Sequence, residues 1–250
     1  MTHDLAIIYE DATLIAVNKP SGELSVPGRV QPNSTASRVK DYFSYAREIH
    51  RLDMGTSGVM LFAKHKSAQA HIQRQFERRE THKKYYAVCA GKPAAVEGVI
   101  ELPLLCDWPN RPRQKVNFIE GKAARTHYRI RSLRNSELQV LINLCFGSKS
   151  EGNKYIRAFS AVELFPLTGR SHQLRVHLAE IGHPILGDEL YAPLEWQQAS
   201  PRLLLHASEL TITHPDSRSV LTLSATSELD AFFPNPMKED LSHPANGSLR

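Results

Sequence analysis

What this 250-residue chain lacks narrows it first. Its three cysteines, Cys89, Cys106 and Cys145, are odd in number and far apart. That excludes a disulfide framework and offers no paired zinc-ligand spacing. No apolar run reaches about 18 residues, so no membrane span is expected. The opening Met1-Thr2-His3-Asp4 has no secretory pattern, and a cytoplasmic protein is the expectation. His172 and His177 are five apart and no His-Glu-x-x-His occurs, which removes the helical histidine pair of a zinc protease. Gly-x-Ser-x-Gly is also missing, which leaves Ser57 of Thr56-Ser57-Gly58 a weak hydrolase nucleophile. No internal repeat is evident, nor any metal, nucleotide or flavin signature.

Charge of negative sign is the scarcer kind. The chain has 31 Lys and Arg against 26 Asp and Glu, a net charge of +5 and a pI near 9.1. The excess is concentrated in the middle. Residues 65–86 hold six basic side chains against two acidic ones, and residues 106–134 hold eight against two. Such a distribution favours a polyanionic partner.

The chain is organised around His50-Arg51-Leu52-Asp53-Met54-Gly55-Thr56-Ser57-Gly58. Val59-Met60-Leu61-Phe62-Ala63 follows it and has the length of a buried strand. The nonapeptide therefore reads as a loop feeding a strand, its glycines permitting a tight path. Read alone, an Asp in such a loop is most often an Asx turn or a helix cap. Before it, Leu5–Tyr9 and Leu14–Val17 predict a hairpin. Asn18-Lys19-Pro20-Ser21-Gly22 predicts a turn whose Lys19 either faces a phosphate or is solvated. Ser34 predicts the start of a helix through about Ser44, and Ser67 opens another in which Ile72 and Phe76 share a face.

Further on, Lys83 to Gly91 alternates as a strand and sends Tyr85 and Tyr86 to opposite faces. In residues 106–117, which run from Cys106 through Trp108-Pro109-Asn110-Arg111-Pro112-Arg113 to Asn117, two prolines exclude a central strand, so the segment reads as a basic, rigid loop whose mixture of Arg and Trp suits an RNA surface. Strands are predicted over 123–130, 138–144 and 155–165, with a polar excursion at 146–153. Ser171 is the expected N-cap of a helix carrying Leu174, Leu178 and Ile181 on its apolar stripe and ending at Gly182. Strands at 202–213 and 220–223 complete the pattern. Short strands, few helices and no regular βαβ alternation predict an α+β fold.

His-Arg-Leu-Asp-x-x-Thr-Ser-Gly resembles the signature of the RluA-type pseudouridine synthases. Asn18-Lys19-Pro20-Ser21-Gly22, the Lys83-x-Tyr85 strand, Gly169-Arg170-Ser171-His172-Gln173-Leu174-Arg175-Val176-His177 and Leu205-His206-Ala207 match further motifs of that family in order. The resemblance implies a single catalytic domain, residues 1–229, with a mixed, mostly antiparallel sheet and a central cleft. It implies no S4 module, and a loose tail is expected over 230–250. It also implies that Asp53 is the nucleophile, Tyr85 the active-site aromatic and Arg175 the partner of Asp53. Arg51 would fill the gap left by a flipped base, Leu205 would pack beneath the uracil, and Arg170 would open the helix that carries Arg175. Asn110, Arg111 and Arg113 would contact RNA. The Asn-Arg-Pro loop and the overall length are most like the dual-specificity branch, which implies 23S rRNA and the anticodon stem-loop of tRNA as substrates. A tRNA-only synthase and a non-catalytic ribosome-assembly factor are the alternatives. An isomerisation needs no cofactor, and no obligate protein partner is expected.

Overall fold

The computed structural model describes residues 5–131, 133, 136–137, 140–141, 143 and 159–233. The first hairpin is β1 (Ile7–Glu10) and β2 (Leu14–Lys19), paired antiparallel. Asp11 closes its turn by accepting the Thr13 and Leu14 N–H groups at 2.8 and 2.7 Å, the local role to which a short acidic side chain is suited. Ser34 caps helix α1 (Thr35–Tyr42) in a reciprocal box with Ser37. The two-residue strand β3 (Arg47–Glu48) and the nonapeptide loop then lead into β4 (Ser57–Ala63).

Strand β4 explains the long apolar run that announced it. All seven of its residues are buried, because helices cover both faces of the sheet. Val59, Leu61 and Ala63 pack with Ala68 and Ile72 of helix α2 (Lys66–Arg78). Met60 and Phe62 pack on the other face with Ala36 and Val39 of α1. Alternate side chains thus enter two separate cores, and no polar position interrupts the strand.

The remaining strands are β5 (His82–Ala90), β6 (Glu97–Glu101), β7 (Leu104–Cys106), β8 (Gln114–Val116), β9 (Arg125–Arg131), β10 (Phe159–Pro166), β11 (Leu205–Thr213) and β12 (Val220–Ser224). The main sheet runs β1-β2-β4-β11-β5-β10-β9-β6, with β12 added to β11 and β3 to β4. Among the described residues β4 and β11 are the one parallel pair, through His206 beside Ser57 and Ala207 beside Gly58. Gly58 has φ +117°, and a Cβ there would lie 2.2 Å from the Ala207 carbonyl oxygen. Only glycine lets the strand after the nonapeptide loop approach β11 so closely. The α+β class and mixed, mostly antiparallel sheet match the expectation. No helix of the described residues is long and apolar enough to cross a membrane.

Four local readings change. The described residues of the strand expected at 138–144, Val140, Leu141 and Asn143, are helical. A short apolar run carries no period that separates the two states. His65, not Ser67, caps α2, its ring accepting the Ala68 N–H. The segment 106–117 is flanked by a small separate sheet, β7 on β8, rather than being loop throughout. The helix expected to start at Ser171 is α3 (Gln173–Glu180), and the position before it is His172 in the left-handed region at φ 54°. The Gln173 side chain does the tying there, accepting from the Arg170 N–H at 3.0 Å and donating to the Arg125 carbonyl and to Thr126. The 146–153 excursion and the chain beyond Phe233 lie outside the described residues. Phe232 and Phe233 still belong to the core, with Phe233 stacked on Tyr86 at 3.9 Å between ring centroids.

Candidate active site

Residues 18–25 frame the loop that carries Asp53. Ser25 grips Leu52 at both ends, donating to its carbonyl at 2.6 Å and accepting its N–H at 2.9 Å. Ser21 donates to the Gly55 carbonyl at 2.6 Å, and the Gly22 N–H bonds the Met54 carbonyl. Lys19 takes neither of the roles expected of it. It is 0% exposed, and its ammonium donates to the carbonyls of Pro20, Glu23 and Met54. A buried cation is tolerated when each of its protons finds an acceptor. The Asn-Lys-Pro-Ser-Gly motif is therefore the frame of the nonapeptide loop.

His50, at the start of the nonapeptide, is a second clamp. Its Nε2 accepts the Leu61 N–H at 3.1 Å, and its ring stacks on Phe76 at 5.2 Å. Burial, aided by nearby Lys83, pushes its pKa down to about 4, so it stays neutral and accepts that bond at neutral pH.

Asp53 itself is presented to a cleft of about 630 Å³. Among the described residues no hydrogen bond reaches its carboxylate, so the Asx-turn reading fails. Its near neighbours are Arg175 Nη1 at 3.7 Å and His172 Nε2 at 4.0 Å. The expected pairing with Arg175 is thus found, but it is the weaker of two. Arg175 donates through Nε and Nη2 to both oxygens of Asp188, at 2.8 and 2.6 Å. The Asp188 carboxylate also accepts the N–H groups of Leu190 and Tyr191. One guanidinium thus faces two aspartates, one saturated with hydrogen bonds and one left open toward the cleft. That asymmetry makes Asp188 the anchor of the guanidinium and leaves the Asp53 carboxylate free toward the cleft.

Tyr85 and Leu205 line the cleft with Asp53 from adjacent strands, and Tyr86 points to the opposite face as expected. Burial and then the charge of Asp53 raise the Tyr85 pKa well above the ordinary phenol range, so it is a neutral phenol at physiological pH. Arg51 and Arg170 are exposed side chains on the cleft wall, Arg170 held by the Ala123 carbonyl at 3.2 Å. Of the Asn-Arg-Pro loop, only Pro112 lines the cleft. Arg113 lies over the Tyr191 ring at 5.4 Å and Arg111 over Trp108 at 4.4 Å, while Asn110 bonds Asp107. Tyr191 ties this loop to the site, its hydroxyl accepting the Gln114 N–H and facing His172 Nδ1, each at 2.7 Å. Ser57, the weak hydrolase candidate, is buried against His206 Nδ1 at 2.9 Å and does not line the cleft.

Asp188, His172, Tyr191 and Lys83 were given no role by the sequence reading. Lys83 lines the cleft and donates to the Thr168 carbonyl at 3.1 Å. Burial, with the charge of Arg79, lowers its pKa from 10.5 to about 8, and burial lowers that of Lys19 to about 8 as well. Between those values the unfolded chain keeps protons that the folded chain has released, so stability rises with pH from 8 toward 10.5. From pH 9 upward buried Cys89, raised to about 12, works the other way, so Lys83→Met is expected to remove more than half of the net rise that it and Lys19 drive. Urea-denaturation midpoints taken near pH 8 and near pH 10.5 measure it, and an undiminished rise would contradict the assignment to Lys83.

The mixed sheet thus sets an open aspartate in a cleft, beside an arginine anchored by Asp188. The family model for RNA pseudouridylate synthase matches residues 13–180, and the chain belongs to that family. It is an RNA pseudouridine synthase of the RluA type, an isomerase. It is 44% identical over 227 residues to the dual-specificity RNA pseudouridine synthase RluA of Escherichia coli K12, covering 90% of this chain and 94% of that one. It is also 44% identical over 239 residues to the protein of the same name from Vibrio cholerae, with coverage of 95% and 87%. Among solved structures, human RNA pseudouridylate synthase domain containing 1 superposes with a TM-score of 0.71 at 26% identity, over 90% of this chain and 84% of that one.

Proposed function

We propose that the chain converts uridine to pseudouridine in both 23S rRNA and the anticodon stem-loop of tRNA, with Asp53 as the nucleophile. The observation that carries the site assignment is the unequal load on the two aspartates beside Arg175. The dual substrate rests on the likeness to the dual-specificity relatives. In this reading the cytoplasm is where enzyme and RNA meet.

The target base is flipped into the cleft, because it cannot be turned over inside a stack. The Asp53 carboxylate then bonds covalently to the nucleotide. The N1–C1′ bond breaks, the uracil rotates, and a C5–C1′ bond forms. C5 gives up a proton and N1 gains one, so the product is an isomer and the carboxylate is released unchanged. Arg175, fixed by Asp188, favours the charged carboxylate and sets its direction. Tyr85 and Leu205 hold the ring between them. As a neutral phenol, Tyr85 takes the C5 proton only while passing on its own, acting as a relay rather than as a phenolate base. Arg51, exposed on the wall, occupies the place that the base vacates, where a guanidinium both stacks and hydrogen-bonds. Arg170, with Asn110, Arg111 and Arg113 of the loop docked on Tyr191, contacts the RNA backbone around the flipped nucleotide.

Tritium release from C5-labelled uridine tests the reading. Large-subunit rRNA and bulk tRNA are to be taken from cells lacking the gene. Release from both is the expected result. Release from tRNA alone would reduce the range to the tRNA-only synthase, and release from neither would overturn the substrate assignment.

A further inference from the structure

A second basic pocket lies outside the cleft, between helix α2 and the turn joining β11 to β12. It has a volume of about 330 Å³ and is lined by His71, Arg74, Gln75, Arg78, Glu80 and Arg218. His71, Arg74 and Arg78 recur at helical spacing on one side of α2, next to the side whose Phe76 walls the cleft. The pocket is therefore within about one helix diameter, 10–12 Å, of that wall.

Its geometry is built. Gln75, 4% exposed, exchanges two hydrogen bonds with the Thr213 backbone, at 2.7 and 2.8 Å, and so joins α2 to the end of β11. The following turn is closed by His214, whose Nδ1 accepts the Asp216 and Ser217 N–H groups and whose Nε2 faces Asp11 at 2.8 Å. That turn holds Arg218 in the left-handed region at φ 60° and brings its guanidinium to 3.2–3.4 Å from the ring nitrogens of His71. The nearby acids leave positive charge over. Glu80 lies 3.9 Å from Arg78, and Asp216 is engaged by Thr13. Arg218 and Arg74 share the pocket with the His71 imidazole, a poor arrangement by itself, and burial together with their two charges holds the His71 pKa down. An anion placed among them would relieve the repulsion and take forked hydrogen bonds.

We propose that this pocket seats a backbone phosphate of the RNA substrate, away from the flipped nucleotide. The inference rests on the enzyme acting on RNA and adds a contact outside the cleft. A phosphate seated there releases condensed counterions when it is neutralised. Losing one such contact lowers the slope of log affinity against log salt by about 0.9 and weakens binding about eightfold at about 0.1 M salt.

The test uses the full chain with Arg74→Gln and Arg218→Gln together, titrated with substrate RNA across a salt series. A slope lower by about one unit and weaker binding are expected, with recovery in the Arg74→Lys, Arg218→Lys pair. Should the double Gln variant lose its folded urea baseline, Arg78→Gln alone, on the exposed helix surface, gives the same readout. Unchanged slope and affinity, with wild type still forming pseudouridine on that RNA, would overturn the phosphate site and leave the synthase reading standing. A wild type that forms none would instead count against that reading.

Discussion

Asp53→Asn is expected to abolish pseudouridine formation while the protein stays folded and still binds RNA. The amide has the shape of the carboxylate but neither its charge nor its nucleophilicity. Removing a covalent catalyst of this kind costs on the order of 10⁴-fold or more in turnover. The fold should barely notice. Among the described residues the Asp53 carboxylate accepts no hydrogen bond, and Arg175 keeps its two bonds to Asp188. The melting temperature should therefore stay within a few degrees of wild type, and RNA affinity within about tenfold. Single-turnover tritium release beside a binding titration separates the two quantities. Activity above about a hundredth of wild type would remove Asp53 from the nucleophile's role.

Asp188→Ala should have the opposite character, a large loss of stability that carries activity down with it. Asp188 is 1% exposed and Arg175 7%. Taking away the carboxylate leaves a buried guanidinium without its main counter-charge, along with the orphaned N–H groups of Leu190 and Tyr191. Breaking one side of a buried pair costs about 3–5 kcal/mol. Arg175 would then turn to the remaining acid, Asp53, now 3.7 Å away, and a tight pair there would blunt the nucleophile. Asp188→Asn keeps the acceptor shape without the charge and should fall between the two. Equilibrium urea unfolding reads the stability and tritium release reads the turnover. A loss below about 1 kcal/mol for the Ala variant would mean that Asp188 does not anchor Arg175.

The sheet was legible where burial imposes a period. Strand β4 showed as an unbroken apolar run, because both of its faces are covered. Strand β5 showed as an alternation that separated Tyr85 from Tyr86. The Asp53 loop was legible through its resemblance to a known signature, as a hydrophilic Gly-containing stretch has no period of its own. What escaped were contacts made across the sequence. Asp188 is bonded to Arg175, 13 residues away, from a turn after the helix, and no spacing rule marks a turn Asp as the anchor of a buried Arg. Lys19 reads as a surface residue on composition alone. Its burial depends on three carbonyls, from Pro20, Glu23 and Met54, that converge only once the loops have met. The cap of α3 was misplaced for a related reason, since Gln173 folds its side chain back and leaves Ser171 without that task.

Strand β11 lies between β4 and β5 and hydrogen-bonds to both, although β4 and β5 are close neighbours along the chain. It is the seam of the main sheet. Without it, β1, β2 and β4 on one side and β5, β10, β9 and β6 on the other share no described strand pairing. The seam is also the last part of the sheet but one to leave a ribosome, roughly 140 residues after β4, and closing so long a loop is entropically slow. Until Leu205–Thr213 emerges, β4 and β5 lack the strand that pairs with both, and unpaired edges of this kind are exposed to aggregation. Asp53 and Leu205 meet only at that step, so the cleft between them exists only once the two parts of the sheet are joined.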